Sequence, residues 1–197
     1  MNEQLALFDD EAAAFEIADL DGLLVAGALL VQRGAEARLS IVVTEQWRAI
    51  AIAEAFDLRG LPGEQVQTFD GRLCVRTPFH RCLRPSADRW SRGSAKLLPP
   101  GWELTPARVR LWALASGRAD PSGYLLGLGR TDEASCWSAA GTALAAAGLA
   151  GTLLGARAAG GPAYRIVGQR RTRRLGALLG AAPIGAPPGA WPLQPPG

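Results

Sequence analysis

Four side chains in this chain could hold a soft metal ion or react through a thiolate: Cys74, His80, Cys82 and Cys136. Structural zinc sites draw their ligands from closely spaced Cys and His pairs. No CxxC pair is present here, and the spacing matches no finger or ribbon, so no metal site is expected and the thiols read as buried. His80 is the only histidine and has no acid paired with it, which leaves no hydrolytic triad. Gly127-Leu128-Gly129 is too short for a nucleotide-binding loop, so no cofactor is expected. Three cysteines without a disulfide pattern, behind an acidic N-terminus, argue against secretion and for a reducing, cytoplasmic setting.

The charge distribution is more informative than any single reactive group. Residues 1–21 hold seven acids and no base, which leaves a body of about +10 out of a formal total of +3. Residues 72–110 carry nine bases against Asp88 and Glu103, and residues 134–197 carry six Arg and no acid. Polyanions are the natural partners of such surfaces. Twenty of the 21 bases are Arg, whose planar fork suits phosphates and guanine edges. The abundant Ala and Gly allow a compositional explanation, so the placement of each Arg has to decide. The uncharged run 134–156 is long enough to span a bilayer, but Gly148 and Gly151 interrupt it, so no membrane span is expected.

The elements that must position these charges follow from periodicity. Residues 12–27 read as a helix, and residues 28–32 and 38–43 as strands about a turn at Gly34. In the second strand Leu39, Ile41 and Val43 face one way and Arg38, Ser40 and Val42 the other. A helix starts near Thr44-Glu45 and ends before Gly60. Residues 64–69 and 72–77 form a hairpin around Asp70-Gly71, and a helix covers about 79–91. Thr105-Pro106 opens the next helix, which runs to Gly117. Residues 120–123 read as a turn and 124–128 as a strand. Thr131, Asp132 and Glu133 cap a helix that ends near Gly148. Strands around 149–157 and 163–167 and a helix over 171–179 follow, and then a Pro- and Gly-rich tail that Trp191 can anchor. Gly27 and Gly117, Thr44 and Thr131, and Val75 and Ile166 are separated by near-constant intervals, which points to an internal duplication of an αββαββα unit.

Several phrases resemble the double-motif LAGLIDADG homing endonuclease family and its regulatory and maturase relatives. They are Asp21-Gly22-Leu23-Leu24-Val25-Ala26-Gly27, Arg38-Leu39-Ser40-Ile41, Trp90 with the stretch from Arg92 to Lys96 and Pro99, Leu104-Thr105-Pro106, the stretch from Leu111 to Gly117, and Tyr164-Arg165-Ile166. The resemblance covers about residues 15–183. It implies an α/β (α+β) fold with paired central helices and two saddle-shaped antiparallel sheets astride the DNA major groove. The expected organisation is an acidic segment 1–14, halves at 15–99 and 100–183, and a tail 184–197. In the nucleases an acid just before each terminal glycine holds a divalent metal. Ala26 and Ser116 stand there in this chain. Asp21 lies more than a helical turn too early and Asp120 lies beyond the glycine, so the resemblance implies a scaffold without its metal chemistry.

Strand alternation points to a binding surface independently of that resemblance. Arg72, Cys74 and Arg76 share one face, Arg165 opposes Tyr164 and Ile166, and Arg33 and Arg38 flank the first hairpin. With Lys96 at the linker phrase, and Arg118 and Arg157 in the second half, these are the expected nucleic-acid contacts. The alternative is that they are ordinary solvated faces. The expected function is binding of nucleic acid, duplex DNA before RNA, by a monomer with pseudo-two-fold halves and no catalytic residue. Its rivals are an RNA-binding maturase-like protein, an active nuclease with displaced acids, and a protein-interaction scaffold.

Overall fold

A computed structural model of the chain describes residues 15–93, 95–130 and 134–192. The first half opens with a 3-10 turn, Ile17–Leu20, in which the backbone N–H of Glu16 donates to the Asp19 carboxylate at 3.1 Å. The turn leads into helix α1, Asp21–Val25. The helix expected over 12–27 is therefore shorter within the described residues, and 12–14 lie outside them. Strands β1 (Leu29–Arg33) and β2 (Glu36–Val43) form a tight hairpin around Gly34, whose φ of 59° requires glycine. Helix α2 (Gln46–Asp57) follows, then the hairpin of β3 (Glu64–Gln67) and β4 (Leu73–Arg76). The segment expected as a helix over 79–91 begins instead with a β-bridge between His80 and Ala37 and a 3-10 turn at Arg81–Leu83. Helix α3 covers only Arg84–Trp90, because the backbone of His80 is engaged in pairing with Ala37. A short hairpin, β5 (Ser91–Arg92) with β6 (Ala95–Lys96), connects the halves and was not legible in the sequence.

In the second half Thr105 caps α4 (Pro106–Ser116), its hydroxyl accepting from the Arg108 N–H at 3.2 Å, with Pro106 at the first turn. The chain passes without a turn from α4 into β7 (Gly117–Asp120), which pairs with β8 (Gly123–Gly127). Sequence reading placed no strand at 117–120. Gly117 is also not the counterpart of Gly27 that the repeat spacing suggested. Gly27 has a left-handed φ of 108° in a turn, whereas Gly117 is extended and already in the sheet. Helix α5 (Ala134–Ala146), β9 (Thr152–Leu154), β10 (Ala163–Val167) and α6 (Gln169–Leu179) complete the half. The expected cap at residues 131–133 lies outside the described residues. Strand β9 is shorter than the expected 149–157, and α6 begins two residues earlier than expected. Among the described residues no helix is long and apolar enough to cross a membrane.

The two four-stranded antiparallel sheets have equivalent orders, β1-β2-β4-β3 and β7-β8-β10-β9. Their first hairpins turn between Arg33 and Glu36 and between Asp120 and Gly123, 87 positions apart, the interval that also separates Thr44 from Thr131. One face of each sheet packs on helices. Leu39, Ile41, Val43 and Val75 face α2 in the first half, while Tyr124, Leu126, Tyr164 and Ile166 are buried in the second. One hydrophobic cluster, which includes Phe56, Trp90 and Trp112, joins both halves into a single core. The tail has no regular element over 180–192. The Trp191 indole donates to the Gly180 carbonyl at 2.9 Å, and the Tyr124 hydroxyl to Ala190 at 3.1 Å, so both anchor it.

Candidate nucleic-acid interface

The centre of the molecule is the crossing of α1 and α4. A Cβ on Gly22 would overlap the backbone carbonyl of Arg108, so the two helices approach at backbone contact. Each helix end is completed by the other half. The N–H of Gly129 donates to the Val25 carbonyl at the end of α1, at 3.3 Å. At the end of α4, the guanidinium of Arg48 donates to the carbonyls of Ala113 (3.0 Å), Leu114 (2.8 Å) and Gly117. Arg48 is 5% exposed, stacks on the Trp47 ring and pairs with Glu45. A cation at the negative end of a helix satisfies orphan carbonyls and opposes the dipole.

Ala26 and Ser116, the two positions where the resemblance leads one to expect an acid, lie at these helix ends. Ala26 follows α1 and offers no ligand atom. Ser116 is the last residue of α4, and its hydroxyl donates to Gly127 at 2.9 Å and lies 3.2 Å from the Trp112 carbonyl. The two nearby acids are engaged elsewhere. Asp21 is 2% exposed and lies 3.6 Å from Arg89, while Asp120 accepts from Ser122 and lies 3.4 Å from Arg165. Among the described residues no three His, Cys, Asp or Glu side chains converge. A divalent metal of the kind the nucleases use needs anionic oxygen ligands, and the groups at these helix ends do not fit it.

Asp21 is an unusual occupant of the core. Burial pushes its carboxyl above the ordinary 3.8, against the opposing influence of the Trp90 indole and of Arg89, Arg108 and Trp102. The Trp90 and Trp102 indoles lie near this carboxyl without making well-formed hydrogen bonds to it, and its Oδ1 has no partner among the described residues. A raised carboxyl favours the folded state most fully below its unfolded value, and that contribution is lost as pH rises through the folded value. Asp21→Asn is therefore expected to melt several degrees above the parent at pH 7, with the gap closing as pH falls towards 4. A gap that widens on acidification would show that the ionised carboxylate stabilises the fold.

The sheet faces turned away from the helices carry most of the expected contacts. In the first sheet Leu29, Ser40, Arg76 and Glu64 form one row, Val31 and Arg38 a second, and Arg33 and Glu36 a third. The face is mixed, with Leu29, Val31 and Val42 exposed among the arginines. Three of its bases hold carboxylates: Arg33 with Glu36 at 3.3 Å, Arg72 with Asp70 at 2.6 Å, and Arg76 with Glu64 at 2.8 Å. Those bonds draw the carboxyls of Glu64 and Asp70 below their ordinary values, through Arg76 in the first case and Thr68 ahead of Arg72 in the second. Exposed pairs of this kind are screened by solvent and contribute little, so a phosphate can displace the carboxylate at small cost.

Sequence reading missed Phe79. Its ring lies under both Arg33, at 3.9 Å, and Arg38, at 4.6 Å, and holds the two guanidiniums over the hairpin. An aromatic directly after an alternating strand was the only available signal, and the strand register was needed to use it.

In the second sheet Arg118, Leu125, Arg165 and Thr152 form one row. The β9–β10 connection folds over it, so that Gly160 lies against Leu125 and accepts from Arg118, and Leu125 is buried on an otherwise outer face. Arg157 is exposed in the same connection. Lys96, on β6, is half-buried and shares a small cavity with Leu24 of α1 and Leu29 of β1, beside the central helices. Elsewhere Arg59, Arg108 and Arg110 donate to the carbonyls of Glu16, Glu103 and Ala181, so much of the arginine content closes backbone within the fold.

No family model and no curated protein sequence matches this chain. Among solved structures it is similar to the homing endonuclease I-WcaI bound to its DNA recognition sequence, with a TM-score of 0.61 and 12% identity over 82% of this chain and 78% of that one. The fold is that of a homing endonuclease. At this identity the likeness concerns architecture: paired central helices and two sheets on a homing-endonuclease fold.

Proposed function

We propose that this chain is a degenerate double-motif LAGLIDADG protein that binds duplex DNA along the outer faces of its two sheets and does not cut it. In this reading residues 15–99 and 100–183 are the two halves, and the segments 1–14 and 184–197 flank them. Arg33, Arg38, Arg72 and Arg76 contact phosphates from the first half, Arg118, Arg157 and Arg165 from the second, and Lys96 from the linker. The observation that carries the reading is the stacking of Arg33 and Arg38 on Phe79 in a homing-endonuclease fold, a pre-ordered pair of cations on the face that lies away from the helices. The absence of cutting is supported by the helix ends, where Ala26 has no ligand atom, the Ser116 hydroxyl is committed to Gly127, and Arg48 places a positive charge.

Binding should be titrated with salt on duplex DNA, structured RNA and heparin. Phe79→Ala and the double variant Arg38→Ala/Arg165→Ala are expected to weaken duplex binding, the latter lowering the salt slope by about 0.9 for each phosphate that is no longer neutralised. Supercoiled plasmid should remain intact with magnesium or manganese. Tighter binding to structured RNA would move the reading to an RNA-clasping protein. Metal-dependent nicking that disappears in Asp21→Asn or Asp120→Asn would overturn it.

A further inference from the structure

We propose that the exposed face of helix α6 is a second phosphate-binding surface, which grips duplex DNA beyond the two sheets. Arg170, Arg171, Arg173 and Arg174 occupy the first half of this helix. At about 100° per residue they cover about 160° of its circumference. Leu175, Gly176 and Leu179, on the other side, are buried in the core. All four arginines are exposed.

Their pairing differs from that of four of the arginines on the sheets. Arg33, Arg72, Arg76 and Arg165 each lie within 4 Å of a carboxylate. Among the described residues none of the four on α6 has an ion pair. Their hydrogen bonds reach backbone carbonyls only, Arg171 to Val167 at 3.4 Å and Arg174 to Ala147 at 2.6 Å. The sequence explains why, since no acid occurs from residue 134 onward. Arg170 and Arg171 also sit in the first turn of the helix, where the dipole disfavours a cation. An external polyanion removes both penalties at once.

The geometry selects the kind of polyanion. A lipid surface would need the apolar side of α6 for insertion, and that side is already buried. A groove of about 690 Å³ joins the arginine face to the second sheet, with Gln169, Thr172 and Arg173 on one wall and Asp120 and Ser122 of the β7–β8 turn on the other. Arg173 thus lies beside the end of that sheet, and the planar fork of arginine suits a phosphate there.

This inference rests on the DNA-binding reading, and the test separates the two. The full-length quadruple variant Arg170→Gln/Arg171→Gln/Arg173→Gln/Arg174→Gln keeps helix-forming side chains, and its melting temperature confirms folding. On a long duplex it is expected to bind at least about tenfold more weakly than the parent, with a salt slope lowered by about 0.9 per phosphate left unneutralised. Hydroxyl-radical footprinting should show protection disappearing at one outer edge and persisting at the centre. If the parent binds duplex DNA and the variant matches it in affinity, slope and footprint, α6 is not a phosphate surface. If polyglutamate competes as well as duplex at equal charge, the surface fits acidic protein and the proposal falls. If the parent binds no duplex at all, the DNA-binding reading itself fails, an outcome distinct from the first.

Discussion

Replacing Arg48 by Met is expected to lower the stability of the protein by about 3–5 kcal/mol, the loss seen when one partner of a buried charged network is removed. Met preserves most of the side-chain volume, so the effect reports the guanidinium. Without it, the carbonyls of Leu114 and Gly117 lose a donor inside the fold, while Ala113 keeps the Gly117 N–H, and each buried acceptor left unpaired costs about 1–3 kcal/mol. Glu45 is half-exposed and can recover water. Domains hold only about 5–15 kcal/mol in total, so the variant should unfold at a much lower urea concentration. Arg48→Lys keeps the charge but not the fork, and should recover only part of the loss. A midpoint for Arg48→Met within experimental error of the parent would remove Arg48 from its place as the cap of α4.

Gly22→Ala should be among the most disruptive single methyl additions to the described residues. In an ordinary helix Ala is favoured over Gly by about 1 kcal/mol. Here the new Cβ would overlap the Arg108 carbonyl, and backbone cannot rotate away as a side-chain tip can. Helices α1 and α4 must separate, and we expect a net loss of about 2–3 kcal/mol, in the range of overpacked cores. Gly155→Ala is the control, because a Cβ there meets open space and the backbone is not left-handed. Equal melting temperatures for the two variants would mean that the central helices do not cross at Gly22.

The parts of the fold that were legible in the sequence are those written in local chemistry. Alternation over 38–43, Asp70-Gly71 between two short runs, and Thr105-Pro106 ahead of Leu111 and Trp112 each specify an element without reference to the rest of the chain. Strand β7 was not legible because Gly-Arg-Ala-Asp carries neither a β-branched nor an aromatic residue. Only its pairing with β8 makes it a strand. The binding face was legible as a set of arginines but not as a set of ion pairs. Glu64 meets Arg76 across a hairpin, and Asp120 meets Arg165 across two strands. Arg48 did leave a signal, a lone charge between Trp47 and Ala49 on an otherwise apolar turn. The carbonyls it caps lie 65 to 69 residues away, beyond any local pattern.

That separation also gives the folding reaction a clock. At about 5–20 residues per second of synthesis, roughly 3–14 s pass between the emergence of Arg48 and that of Gly117, 69 residues later. During this interval the Arg48 guanidinium has Glu45 beside it but none of its three carbonyl acceptors from the second half, and the Val25 carbonyl waits longer still for Gly129. The caps that each half lends the other need both halves. The contacts between the halves therefore form only after translation has passed both, and a ribosome stalled between them displays α1 and α2 without α4 to whatever chaperone is near.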